Sequence, residues 1–136
     1  MSTPPSDLEL WFALKRAHEV VRARVLADVA ESSGLSEPDL VILVQLDKAG
    51  GRLRQSELAA ALGWDRTRLS HQLTRMASRD LLTRDRGATV TVALTEAAHA
   101  LITALQPRLE SAVQRHFTSH LTPAERQAIG SALSRL

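Results

Sequence analysis

The chain contains no cysteine, which excludes disulfides, thiol redox sensing and thiolate metal sites. Lysine is nearly absent as well: Lys15 and Lys48 are the only two, so almost all the positive charge is arginine. Arginine's planar fork suits bidentate contacts to phosphate or guanine. No apolar run approaches the ~18 residues that span a bilayer. The stretch from Met1 to Ser6 also lacks a basic segment followed by an apolar one, so no secretory signal is expected. These absences predict a soluble, cytoplasmic protein. No charge of one sign dominates either: 17 Lys+Arg against 15 Asp+Glu give a net charge of +2, so distribution matters more than total.

Signatures of catalysis are missing too. There is no nucleophile elbow, phosphate loop or paired-carboxylate pattern. Asp65, Ser70 and His71 fall on one short predicted helix, where adjacent residues point apart. The sequence therefore reads as a non-enzyme with no cofactor. What is present is enough apolar residue, 44% of 136, to build one domain over residues 1–136.

Ser6 and Glu9 have capping-box form, and Leu8, Trp11, Leu14, His18, Val21, Val25 and Val29 then recur at spacings of three and four. They predict a long amphipathic helix ending near Gly34. Ser36 caps a second helix with Leu40, Leu43, Val44 and Leu46 as its apolar set, and Gly50 and Gly51 stop it. A short extended piece at Arg52 and Leu53 leads into a third helix from Gln55 to Leu62. Gly63 breaks that helix, and Asp65 caps a fourth, from Arg66 to about Arg79. Helix, short turn, helix is the spacing of a helix-turn-helix.

Two strands follow, Leu81 to Arg84 and Thr89 to Leu94, with the turn expected at residues 85–88. Thr95 caps a fifth helix with Ala98, Leu101, Ile102, Leu105, Leu109, Val113 and Phe117 on its stripe; Pro107 inside it is expected to kink it. Thr122, Pro123 and Glu125 open a last helix running to Leu136. The expected fold is mainly α with a small β-hairpin, in the order α-α-β-α-α-β-β-α-α. A winged helix-turn-helix over residues 35–95 is embedded between helices at 6–33 and 96–136.

On the fourth helix Leu69, Leu73 and Met76 share the core face. The opposite face carries Thr67, His71, Thr74 and Ser78, flanked by Arg68 and Arg75, with Ser70 at the edge and no acid. That combination suits a DNA major groove, where arginine meets guanine edges and short polar side chains bond to bases. An ordinary solvated face is the alternative, and it usually mixes acids with bases. Arg84 and Arg86 bracket Asp85 in the hairpin, where an arginine can enter the minor groove; a charged tip that merely keeps an edge soluble is the bland alternative. With Arg66 at the helix start, the candidate DNA-contacting set is Arg66, Thr67, Arg68, Ser70, His71, Thr74, Arg75, Arg84 and Arg86.

The apolar stripes of the terminal helices exceed what the small middle unit can cover. A second copy of the chain is the simplest partner, and a monomer with an unusually helical core is the alternative. A two-fold dimer would favour half-sites about one turn, ~10 bp, apart.

The run Gln55-Ser56-Glu57-Leu58-Ala59, Leu62-Gly63, Arg66 to Ser70, Leu73 to Met76, Leu81 to Arg84, the Asp85-Arg86 wing and Val92 to Thr95 resembles the MarR (multiple antibiotic resistance regulator) family. The order of helices extends the resemblance over nearly the whole chain. The resemblance implies a homodimer bound to a palindromic promoter site, usually as a repressor, that small aromatic or anionic molecules can release. By position it implies Thr67, Arg68, Ser70, His71 and Arg75 as groove-facing residues and Arg86 as the wing residue.

The stretch from Arg84 to Leu94 is shorter than the family's usual wing, which leaves the depth of wing contact open. Asp80 and Ala98 stand where glycines are usual. Asp80 is expected in the left-handed conformation at some cost.

Trp11, His18 and Arg22, with Trp64 as a neighbour, are candidate ligand-binding residues; plain packing on the apolar stripe is the stronger reading of Trp11 and His18 taken singly. His116 and His120 have a spacing that can bind zinc, but without cysteine or a matching acid the set is incomplete, and no metal is expected. Histidines near a helix C-terminus also interact favourably with its dipole. The rival functional reading is a dimeric winged helix that docks another protein rather than DNA.

Overall fold

The computed structural model describes residues 2–136; Met1, at the head of the polar N-terminal stretch, lies outside them. The first helix, α1 (Asp7–Ser33), starts at the expected capping box: the Ser6 N–H donates to Glu9 Oε2 at 2.8 Å and the Glu9 N–H to Ser6 Oγ at 3.3 Å. There follow α2 (Glu37–Lys48), β1 (Arg52–Arg54), α3 (Gln55–Leu62), α4 (Arg66–Ser78), β2 (Leu82–Arg86), β3 (Val90–Leu94), α5 (Glu96–His116) and α6 (Pro123–Leu133), with a 3₁₀ turn at Thr118–His120. The element order is the expected one. The last helix ends at Leu133 rather than Leu136, and α5 continues as helix through Pro107.

The chain divides into two compact units, one of residues up to Val29 together with Pro107–Leu136, the other Ala30–Gln106. In the first, Asp28 of α1 accepts from Arg115 Nη1 and bonds His116 Nε2 of α5, both at 2.7 Å. The His116 bond lowers the Asp28 pKa from its ordinary value, with the Arg115 and His116 charges helping against burial. His116 therefore has an acidic partner, and no group of three metal-ligating side chains exists among the described residues. The expected apolar stripe of α1 is mostly uncovered within the single chain: Val25 and Val29 are buried, but Leu8, Trp11 and Leu14 are 67%, 58% and 46% exposed. No residue of α6 is buried. Among the described residues, no helix is long and apolar enough to cross a membrane.

The second unit holds the larger core. Leu40, Ile42, Leu43 and Leu46 of α2, Leu58 of α3, Leu69, Leu73 and Met76 of α4, and Val92 of β3 are all buried. One expectation for α2 is corrected: Ile42 is fully buried and Val44 is 37% exposed. Ile42 lies four positions before Leu46 and three after Asp39, so it shares their face, whereas Val44 points between the buried rows.

The three strands form one antiparallel sheet in the order β1-β3-β2. Leu53 pairs with Val92 on one side, and Arg84 pairs with Val92 on the other. The β2–β3 ladder runs from Leu82↔Leu94 to Arg86↔Val90, so Asp85 and Arg86 belong to a strand and the loop is residues 87–89. The expected turn at 85–88 is thus shifted. Its composition suggests a turn, but pairing with the β-branched Val90 and Thr91 carries the ladder further.

Candidate nucleic-acid interface

Two helix ends set the geometry of the reading head. Gly63, at φ 66°, closes α3 with its N–H on Ala60 O, and the Trp64 N–H reaches back to Ala59 O. This left-handed stop suits glycine, which has no Cβ to clash. The chain turns directly into Asp65, whose Oδ1 accepts the Arg68 N–H at 2.8 Å and caps α4.

At the other end of α4, Asp80 takes φ 58°, the only positive φ among the described non-glycine residues. Its N–H bonds Ala77 O, and the Leu81 N–H bonds Met76 O. This is a Schellman stop with aspartate in the usual glycine place, as expected. Thr95 Oγ1 donates to Asp80 O at 2.7 Å and accepts the Ala98 N–H at 3.0 Å, so one threonine ties the end of α4 to the start of α5.

Between these stops α4 presents two faces. Leu69, Gln72, Leu73 and Met76 are buried; Arg66, Thr67, Arg68, His71, Thr74, Arg75 and Ser78 are exposed, with Ser70 half-buried between them. The structure thus brings the α4 candidates onto one surface, and that helix carries no acid.

Several of these side chains are already held. The Arg68 guanidinium stacks over the Trp64 ring, 4.0 Å from its centroid. Ser78 Oγ donates to Arg75 O at 2.7 Å, turning that hydroxyl back to its own helix. Thr74 Oγ1 donates to Ser70 O at 2.9 Å and accepts from Arg84 Nη2 at 2.7 Å.

Arg84 is therefore a half-buried brace from hairpin to α4 rather than a tip residue. Burial, and secondarily the charge of Arg86, lower its pKa from the ordinary guanidinium value. Arg86 is exposed at the last ladder pair before the loop.

Two buried polar residues support the exposed face of α4: Asp39, read in the sequence only as the capping partner of Ser36, and Gln72 of α4 itself, which the apolar pattern did not mark. Asp39 Oδ2 accepts from Arg79 Nη1 at 2.8 Å and from the Ser36 N–H at 3.0 Å, while Oδ1 accepts from Gln72 Nε2 at 2.6 Å. Burial raises the Asp39 pKa, but the Arg79 and Ser36 hydrogen bonds outweigh it and the net shift is downward. Gln72 in turn accepts from Arg75 Nη2 through Oε1. The signal for Gln72 is its spacing: three from Leu69 and four from Met76, a polar residue at a core position.

Gln55 was unmarked as a site residue as well. It lines a cleft of about 300 Å³ with Ser56 and Ala59 of α3, Arg66 and Leu69 of α4, and Thr89 and Val90 of the hairpin. Its Oε1 is buried there without a partner.

Of the residues considered for a small ligand, Trp11, His18 and Arg22 are exposed on α1, and Trp64 lies in the reading head under Arg68.

Comparison with known proteins places this geometry. The MarR family model matches residues 35–89, which span α2 to the hairpin loop. Among solved structures, AbsC, a MarR family transcriptional regulator from Streptomyces coelicolor, is 29% identical, with 97% of this chain and 93% of that chain covered and a TM-score of 0.73. BpsR of Bordetella bronchiseptica, whose DNA binding is regulated by 6-hydroxynicotinic acid, is 26% identical over 93% of this chain and 96% of that chain, with a TM-score of 0.72. Sco3205 of Streptomyces coelicolor, a MarR family transcriptional regulator solved in complex with DNA, is 21% identical over 96% and 90%, with a TM-score of 0.72, and shares the fold. No curated protein matched the chain. The resemblance read from the sequence is borne out, by sequence in the reading head and by fold along the chain.

Proposed function

We propose, from the match of the MarR family model to the reading head at residues 35–89, that the chain is a sequence-specific regulator of transcription that acts on duplex DNA as a homodimer. The observation that carries this reading is the exposed face of α4, with Arg66, Arg68 and Arg75 among Thr67, His71 and Thr74 and no acid on the helix. Guanine edges and phosphates take arginine forks, and adenine and thymine edges take short polar groups. A protein-docking face would expose large apolar side chains, and α4 exposes none. Arg86 lies beside this helix on the hairpin, suited to the phosphates or the narrow groove that flank the contacted major groove.

The second copy is argued from α1, where Leu8, Leu10, Trp11, Phe12 and Leu14 are all exposed within one chain. A two-fold partner covers such a face with the same face. Trp11 then belongs to the dimer surface, and Trp64 to Arg68. Two heads in one dimer favour a palindrome with half-sites about 10 bp apart. Occupation of a promoter palindrome acts as repression, and a small aromatic or anionic molecule, of the class named for BpsR, is the proposed release signal.

Selection of bound sequences from a random duplex library tests the reading. A recovered palindrome of that spacing, with affinity falling by roughly 10³-fold between 50 and 200 mM salt, is the expected result. Recovery of nothing above background overturns it in favour of a winged helix that docks protein.

A further inference from the structure

The face of α4 assigned to DNA is supported from beneath by one buried polar side chain. Gln72 is 5% exposed and sits among Leu69, Leu73 and Met76, where an apolar residue would pack without any polar demand. A buried amide in that place must have partners, and both ends of this one are occupied. Nε2 donates to Asp39 Oδ1 at 2.6 Å, and Oε1 accepts from Arg75 Nη2.

The orientation of the amide is forced by its neighbours. The Asp39 carboxylate only accepts and the Arg75 guanidinium only donates, so a reversed amide would oppose like groups at both ends. Asp39, 2% exposed, is itself fixed by Arg79 and by the Ser36 N–H. A continuous chain of bonds thus runs from the first turn of α2 through the core to an exposed arginine.

We propose that Gln72 is a positioning residue for DNA recognition, a relay that, backed by Asp39, holds the Arg75 guanidinium in the geometry in which it meets a base edge or phosphate. The inference rests on the reading of α4 given above. Only one guanidinium N–H is used by Gln72, which leaves the others for DNA. An arginine ordered before binding avoids the entropy cost of being immobilised at the interface, worth about three- to tenfold in affinity.

The test compares wild type, Gln72→Met, Arg75→Ala and the double variant on the duplex recovered by selection and on its single-base-pair variants. Methionine has similar length and fills irregular core space. Gln72→Met is expected to weaken binding about three- to tenfold and to flatten discrimination at the same base pair that Arg75→Ala flattens. In the Arg75→Ala background it should cost nothing further, because its effect passes through Arg75.

A loss of equal size in both backgrounds, with discrimination intact, assigns Gln72 a purely structural role and overturns the inference, as does unchanged binding by Gln72→Met where Arg75→Ala binds weakly. Unchanged binding by Arg75→Ala overturns instead the reading of Arg75 as a DNA contact. Side-chain ¹⁵N relaxation of the free wild type is independent of how the variants fold: the Arg75 Nε–H should be more ordered than that of Arg66, and equal disorder overturns the inference.

Discussion

The guanidinium of Arg68 lies over the indole of Trp64, its carbon 4.0 Å from the ring centroid, at the point where the turn after α3 becomes α4. Arg68 is the second arginine on the exposed face, and the stack gives it a fixed bearing before any partner arrives. An exposed cation–π contact is worth about 0.5–1 kcal/mol.

Trp64 therefore reports on Arg68. With Trp11 replaced by phenylalanine, Trp64 is the only tryptophan left, and its emission should change when the selected duplex is added. Trp64→Leu should weaken binding by about 0.5–1 kcal/mol, the worth of the lost stack. Emission that ignores saturating duplex would separate this pair from the interface.

Asp80 holds φ 58° at the stop of α4. A left-handed L-residue is strained and glycine is not, so Asp80→Gly should stabilise the fold by about 0.5–1 kcal/mol, and Asp80→Val should destabilise it by at least as much. Urea unfolding of the three proteins checks the order, and a less stable glycine variant would contradict it.

Much of this site was legible in sequence because helices announce their ends and faces. Ser36, Asp65 and Thr122 lie at the expected caps, Leu69, Leu73 and Met76 on the expected core face, and Asp80 in the expected conformation. What escaped is pairing. Apolar periodicity passes over Gln72 because it is polar, although its position is a core position. The bond from Arg84 to Thr74 spans ten residues and two elements, and no local pattern encodes it. The hairpin runs on to Arg86↔Val90 because cross-strand partners, rather than the turn-like composition of residues 85–88, decide where a ladder stops.

The acid limb of stability should carry the signature of Asp39. Burial pushes its carboxyl up, but Arg79 and the Ser36 N–H pull it below the ordinary value. A depressed folded pKa means stability that is present above the unfolded value of about 3.9 and lost as pH falls through the folded one. Wild type should therefore weaken as pH drops below about 5. Asp39→Asn should lose about 1–3 kcal/mol at neutral pH and show a shallower acid limb. Unfolding curves for the two proteins that run parallel from neutral to acid would remove Asp39 from this role.

The uncovered face of α1 predicts a second oligomeric state on demand. Trp11→Glu places a charge between Leu8 and Leu14, three residues away on either side on the same face, and sedimentation should show a dimer for wild type and a monomer for the variant. The monomer should also lose the preference for two correctly spaced half-sites. Equal masses for the two proteins would refute the assignment of that face.

The claim that matters most is that the acid-free face of α4 reads DNA, and titration of the selected duplex with wild type, Arg68→Ala and Arg75→Ala at fixed salt tests it most directly. The account predicts that each variant binds about 1–3 kcal/mol more weakly where its arginine reads a base, and that it relaxes preference at its own base pair. Wild-type affinity and selectivity in both variants would show that the face lies elsewhere.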